Sequence, residues 1–210
     1  MCAFGGVDEK KVAKLLEVAE EEGVGVVAVQ EVWFRMKMER EMAVVLNDSE
    51  WRWYGRERRG QKPGSRRGSG GVGFFVHVSV RVVRVGRGQH DGLMWLEVER
   101  MGEVSRIVNL YLVPSGSTRH RHNDDVLGEM ERLMGQWPER GRVVVGDWNG
   151  RVGEIASVVT NEEEEKRGRF VDLGVCRDKT VNEQGKRVLN LMNAWNMVVM
   201  NGVMGKMEFT

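Results

Sequence analysis

Arg142 to Gly153 reads RVVVGDWNGRVG, and no other stretch narrows the fold as sharply. Three valines run into Gly146, Asp147, Trp148, Asn149 and Gly150. A short β-branched run that stops at glycine and polar residues reads as a buried strand that surfaces at its tip. If extended geometry persists through the tip, Asp147 and Asn149 share a face. Asp147 then offers oxygens that can take a proton or hold a hard cation, and Asn149 offers an amide that both donates and accepts. Gly146 and Gly150 leave room for a ligand near the backbone. The same spelling also suits a strand that ends in an Asx turn, and this stretch alone does not separate the two.

Earlier segments alternate between helical and extended patterns. Val12, Leu15, Leu16 and Ala19 fall at helical spacing within Asp8–Glu22, and Gly23 is a natural stop. Val24–Val29, VGVVAV, then reads as a strand covered on both faces, with an α/β crossover from the preceding helix. Glu31 stands at its end, as Asp147 does at the end of the valine run. A lone carboxylate there is more often a solvated strand end than a ligand. A helix is expected over Met36–Leu46 and strands over Trp51–Tyr54, Val72–Val78, Val80–Val85, Leu93–Val98 and Arg106–Val113. Short glycine-bearing turns between several of them favour antiparallel pairs. The arginines of RVVRV put one face of that strand in solvent. IVNLYLVPSG places Tyr111 near a strand end, where its hydroxyl either meets the surface or enters a site built from neighbouring strand ends. Asp125–Gln136 reads as a helix leading into the valine strand, with His120 and His122 in the loop before it. Asn182-Glu-Gln-Gly185 reads as a turn that starts a helix over Lys186–Trp195, with Asn182 a turn or capping residue. A last strand is expected at Met197–Met200, and Glu162–Arg169 reads as a charged loop.

Composition sets outer limits. With 210 residues, 41% of them hydrophobic and 30% charged, the chain can build one sizeable core. No apolar run nears the ~20 residues of a membrane helix, so no membrane partner is expected. Only Cys2 and Cys176 are present, which argues against a disulfide framework or structural zinc and favours an intracellular setting. Net charge is +1, but Arg52, Arg56, Arg58, Arg59, Lys62, Arg66 and Arg67 crowd one glycine-rich stretch. Such a cluster suits a local anionic partner. It also suits a solvated loop that binds nothing.

The segments VVAVQEVW, GGVGFFV, IVNLYLVPSG, VVVGDWNGRVG and TVNEQGKRVLNLMNAWNMVVMNG occur in the order seen in the endonuclease/exonuclease/phosphatase superfamily. GRERRGQKPGSRRG ahead of GGVGF, with GDWNGRVG later, most resembles its non-LTR (LINE-type) retrotransposon endonucleases and their craniofacial-development-protein-2-like relatives. The resemblance spans nearly the whole chain. It implies a four-layer α/β sandwich, two packed mixed sheets flanked by helices, formed as a single partial domain over residues 1–210. It implies that Glu31 binds Mg²⁺, with Mn²⁺ as a substitute, and that Tyr111 contacts the scissile phosphate or helps at the leaving-group side. Asp147 would orient and deprotonate the attacking water, Asn149 would hold that geometry and contact the phosphate, and Asn182 would be a further phosphate or metal-shell residue. Arg58, Arg59, Arg66 and Arg67 would track a DNA backbone.

The resemblance further implies a first strand whose Asn would fall at or just before Met1, and closing strands, one carrying Ser-Asp-His, after Thr210. The fold is therefore expected to be incomplete at its N- and C-terminal strands, with activity of these 210 residues weak or nil. The leading expectation is a Mg²⁺-dependent endonuclease that nicks DNA, with a reverse transcriptase domain as its partner in a longer element and the nucleus among its compartments. The alternatives are a phosphatase on lipid or small-molecule phosphates and a catalytically dead nucleic-acid-binding remnant.

Overall fold

A computed structural model describes residues 9–32, 46, 49–56, 71–117, 120, 122–153 and 179–197. The expected helix over Met36–Leu46, the arginine loop with Arg58, Arg59, Arg66 and Arg67, the Glu162–Arg169 loop and the Met197–Met200 strand lie outside these residues, apart from Leu46 and Met197. The chain divides into two compact units, Met1–Asp147 and Trp148–Thr210.

Unit 1 begins with helix α1, Glu9–Glu21. Val12, Leu16 and Ala19 are its buried stripe, and removing the Val12 and Leu16 side chains from water contributes about 1.5–3 kcal/mol each. The helix ends in a Schellman turn. Gly23 takes φ +66, its N–H reaches the Glu20 carbonyl at 3.0 Å, and the Val24 N–H reaches that of Ala19 at 2.8 Å.

Strands β1 (Val26–Gln30), β2 (Trp51–Arg56) and β3 (Val72–His77) follow in sequence and form a three-stranded sheet in the order β1-β3-β2. The crossover expected after α1 does not lead to a parallel neighbour, because β1 pairs antiparallel with β3. β3 takes the centre because VGFFVH is apolar on both faces, and Val72 through Val76 are all buried. Phe75 faces α1 together with Val27 and Val29. Phe74 and Val76 face the second sheet together with Val26 and Ala28. β1 is thus covered on both faces, as its apolar run suggests.

The second sheet contains β4 (Arg81–Arg87), β5 (Leu93–Arg100), β6 (Glu103–Tyr111) and β7 (Arg142–Asp147), in that order. β4, β5 and β6 are antiparallel, and β6–β7 is parallel. β4 is mostly exposed, as its arginines predict, and its register slips at a bulge between Val82 and Arg84. The parallel step is made by α2, His122–Gln136. This helix starts three residues before the expected Asp125, so His122 belongs to it rather than to a loop. The reason is tertiary. Asn123, 1% exposed, accepts from the Val113 N–H and donates to the Val113 carbonyl, both at 2.8 Å. Asp124 and Asp125 then lie in the first turn, where the helix dipole favours acids. Further along α2, the Glu129 carboxylate accepts from the backbone N–H groups of Gln89 and His90. The layers of unit 1 are therefore helix, sheet, sheet and helix, the expected four-layer arrangement.

In unit 2, helix α3 spans Glu183–Ala194. It starts earlier than the expected Lys186, because Asn182 is its N-cap and accepts from the Gly185 N–H. Gly185 abuts the Arg151 carbonyl so closely that no Cβ fits.

Asn123→Ala should cost about 2–4 kcal/mol, since two buried backbone groups lose their partners. Breaking the exposed Arg140–Glu103 pair should cost less than about 1 kcal/mol. Urea midpoints of the two variants give the comparison, and equal midpoints would show that Asn123 is not the tie.

Candidate functional site

Three strand ends meet at one edge of unit 1. β1 ends at Gln30, followed by Glu31, while β6 ends at Tyr111 and β7 at Asp147. Tyr111 and Asp147 are register partners across the parallel pair. The Leu112 N–H continues that pairing onto the Asp147 carbonyl at 2.9 Å. From the other sheet, Glu31 accepts a hydrogen bond from the Tyr111 hydroxyl at 2.6 Å. The tyrosine is 8% exposed, so its hydroxyl is turned into the strand-end cluster.

Behind this pair lies a network that sequence reasoning missed. Asn109 is fully buried. Its amide donates to the carbonyls of Val29 at 3.0 Å and Gly73 at 2.8 Å. Its oxygen accepts from Gln30 Nε2 at 2.6 Å. One side chain on β6 thus ties together both neighbouring strands of the other sheet. The signal was legible: Asn109 interrupts the apolar run IVNLYL, and Gln30 precedes Glu31. A polar residue at a core position of a strand requires buried partners.

The backbone is bent at both carboxylates. Glu31 sits at φ +53, a region that costs a non-glycine residue about 1–3 kcal/mol and that clusters at functional positions. Gly146 takes φ +143 against the Leu110 carbonyl, which leaves no space for a Cβ. Glycine is therefore required one residue before Asp147. The strand stops at Asp147, and Asn149 adopts φ +47. Extended geometry does not carry through to Asn149, and the shared-face expectation based on it does not hold.

Asn149 and Asn182 belong to unit 2. Asn182 Oδ1 accepts from the N–H groups of Gly185 at 2.7 Å and Arg151 at 3.0 Å. Its Nδ2 reaches the Asn149 carbonyl at 3.4 Å. Capping, the simpler expectation for Asn182, is what the side chain does here.

Among the described residues, no three His, Cys, Asp or Glu side chains gather as a metal cage. The donors at the strand ends are the carboxylates of Glu31 and Asp147 and the phenol of Tyr111. An all-oxygen set suits a hard divalent cation that keeps several waters. Glu31, fixed by Tyr111, is the residue that would hold it.

The chain matches the Endonuclease/Exonuclease/phosphatase family over residues 5–163. It belongs to that family. The family's enzymes are hydrolases that act on phosphodiester bonds. Among solved structures, the endonuclease domain of TRAS1, a telomere-specific non-LTR retrotransposon, is similar with a TM-score of 0.55 at 10% identity, over 90% of this chain and 66% of that one. The AP endonuclease LMAP from Leishmania major gives 0.62 at 16%, over 92% and 65%. The human Nocturnin catalytic domain gives 0.50 at 13%, over 68% and 58%. At these identities the likeness establishes the fold. The chain spans just under two thirds of the length of the first two. No curated protein matches it. No helix among the described residues is long and apolar enough to cross a membrane.

Tyr111→Phe should lower stability by about 1–2 kcal/mol, the loss of one hydrogen bond to a half-buried carboxylate. Gly146→Ala should cost about 2–3 kcal/mol through overpacking and a strained φ. Thermal melts of the two variants test the ranking, and a Gly146→Ala protein as stable as the parent would contradict the close approach to Leu110.

Proposed function

We propose that this family member is a divalent-metal-dependent DNA endonuclease that nicks in the manner of retrotransposon enzymes, with residues 1–210 acting as one domain. The observation that carries the reading is the Tyr111 hydroxyl held on the Glu31 carboxylate, with Asp147 as the strand neighbour of Tyr111. A phosphodiester is anionic and resists attack, so its hydrolysis needs a positioned water and stabilised charge. Asp147 orients the water and accepts its proton. Tyr111 fixes Glu31 by donating its hydroxyl proton to the carboxylate, and that proton would pass to a phosphate oxygen only if Glu31 turns to the cation. In the family resemblance Asn149 is the residue whose amide would donate to a phosphate oxygen, and within unit 2 Asn182 Nδ2 reaches the Asn149 carbonyl at 3.4 Å. Glu31 would hold the divalent cation, Mg²⁺ or Mn²⁺ in its stead, which would supply charge stabilisation at the phosphate oxygens.

The basic stretch with Arg58, Arg59, Arg66 and Arg67 supports a polymeric anion as substrate. The TRAS1 domain, an endonuclease of a non-LTR retrotransposon, supports DNA as that polymer. In this reading the nick primes reverse transcription, so a reverse transcriptase domain is the partner and the nucleus the compartment.

Supercoiled plasmid with Mg²⁺ tests the proposal. Weak conversion to open circles at most is expected of these 210 residues, and Asp147→Ala should slow it a further ~100-fold or more. Glu31→Gln should weaken Mn²⁺ binding, read by electron paramagnetic resonance, about tenfold or more, and Tyr111→Phe should weaken it by a similar factor through its hold on the carboxylate. Turnover of a soluble phosphate ester without nicking would point to a phosphatase instead. DNA binding with neither activity would point to a catalytically dead remnant.

A further inference from the structure

A second concave surface runs along β2, the strand that closes the first sheet opposite β1. It encloses about 430 Å³. Trp51, Trp53 and Tyr54 give it aromatic walls, Arg52 and Arg87 give it positive charge, and no carboxylate lines it among the described residues. Trp51 is a fixed wall, 2% exposed, with its indole N–H on Glu20 at 2.7 Å. The Trp53 ring lies across Gly55 and Gly73, where any Cβ would collide with it. Its centroid is 4.7 Å from that of Phe75. Tyr54 packs against the cluster between the sheets. Trp53 and Tyr54 are both half-buried but point to opposite faces of the sheet, so Tyr54 is the ring on the same side as Arg52.

Strand register places this groove relative to the strand-end site. Trp53 and Tyr54 pair with Phe75 and Phe74, and these pair with Val27 and Ala28, three to four residues before Glu31. Arg87 pairs with Met94, and Met94 with Asn109, two residues before Tyr111. The groove therefore lies two strand spacings across the sheet and about 7–13 Å back along the strands from that site, a separation of about 12–16 Å. Stacked nucleotides advance about 3.4 Å each along one strand, so about four or five of them cover that gap.

We propose that this groove holds an unpaired nucleotide, its base against the Tyr54 ring and its phosphate between Arg52 and Arg87. Aromatic rings hold any base by stacking, without reading sequence. Planar guanidinium groups match phosphate oxygens. An acidic peptide would engage the arginines and leave the ring unused. The binding itself does not depend on cleavage. Its offset of about four or five nucleotides from the scissile phosphate does rest on the nuclease reading above.

The test uses two fluorescent probes of about 12 units, oligo(dT) and a base-free sugar-phosphate chain of equal length. The parent protein should prefer oligo(dT). Arg52→Gln with Arg87→Gln, both at exposed positions, should reduce the slope of log affinity against log salt by about 1.4 for either probe. Tyr54→Leu should weaken oligo(dT) binding about tenfold and leave the base-free chain unchanged. Circular dichroism confirms that the variants fold, and the arginine pair decides the question should Tyr54→Leu not fold. Equal affinity of the parent for both probes, or an unchanged salt slope in the arginine variant, overturns the proposal. Asp147→Ala separates the two readings, since it should abolish nicking and keep oligo(dT) affinity. Protein that never nicks but shows the predicted binding shifts refutes the nuclease reading alone and upholds the groove.

Discussion

One buried amide fixes how the two sheets of unit 1 sit on each other. Apolar contact between sheets has little direction, so Phe74, Val76, Met94 and Leu96 could pack in several slightly shifted ways. Asn109 admits only one. It donates to two carbonyls of the first sheet and accepts from Gln30, and any slip would strand these groups in a dry interior. The candidate site inherits that alignment. Glu31 follows Gln30 directly, and Tyr111 stands two residues beyond Asn109 on the same face of β6. The contact that sets the packing of the sheets therefore also sets the distance between carboxylate and phenol.

The strands were the most legible part of the chain. Runs such as VGFFV and RVVVGD are short, β-branched or aromatic and bounded by glycine, so their existence and rough limits follow from local pattern. The central place of β3 was harder to see, since VGVVAV and VGFFVH both read as buried strands. Only pairing separates them. The starts of α2 and α3 were placed three residues late, each for a physical reason. Asn123 is recruited by the distant Val113 backbone, and Asn182 caps a turn that contains Gly185, a residue that looks like punctuation until the Arg151 carbonyl is seen against it.

The candidate site divides in a similar way. Glu31, Tyr111 and Asp147 were identifiable as strand-end oxygens, and unit 1 brings all three to one edge. The partnership of Asn109 and Gln30 was hidden because its content is three-dimensional, a side chain of one sheet satisfying the backbone of the other. Asn149 illustrates the limit of periodicity. The alternation that would pair it with Asp147 stops with the strand at Asp147, and Asn149 itself lies in the left-handed region.

The left-handed backbone at Glu31 has an evolutionary edge. Glycine, or to a lesser degree asparagine, would relax that bend, while the carboxylate would vanish with the strain. A population of these chains selected in the laboratory for thermal endurance alone should drift at position 31 toward residues that cannot hold a cation. Retention of glutamate there under relaxed selection would be a sign that chemistry, and not folding, is what the position serves.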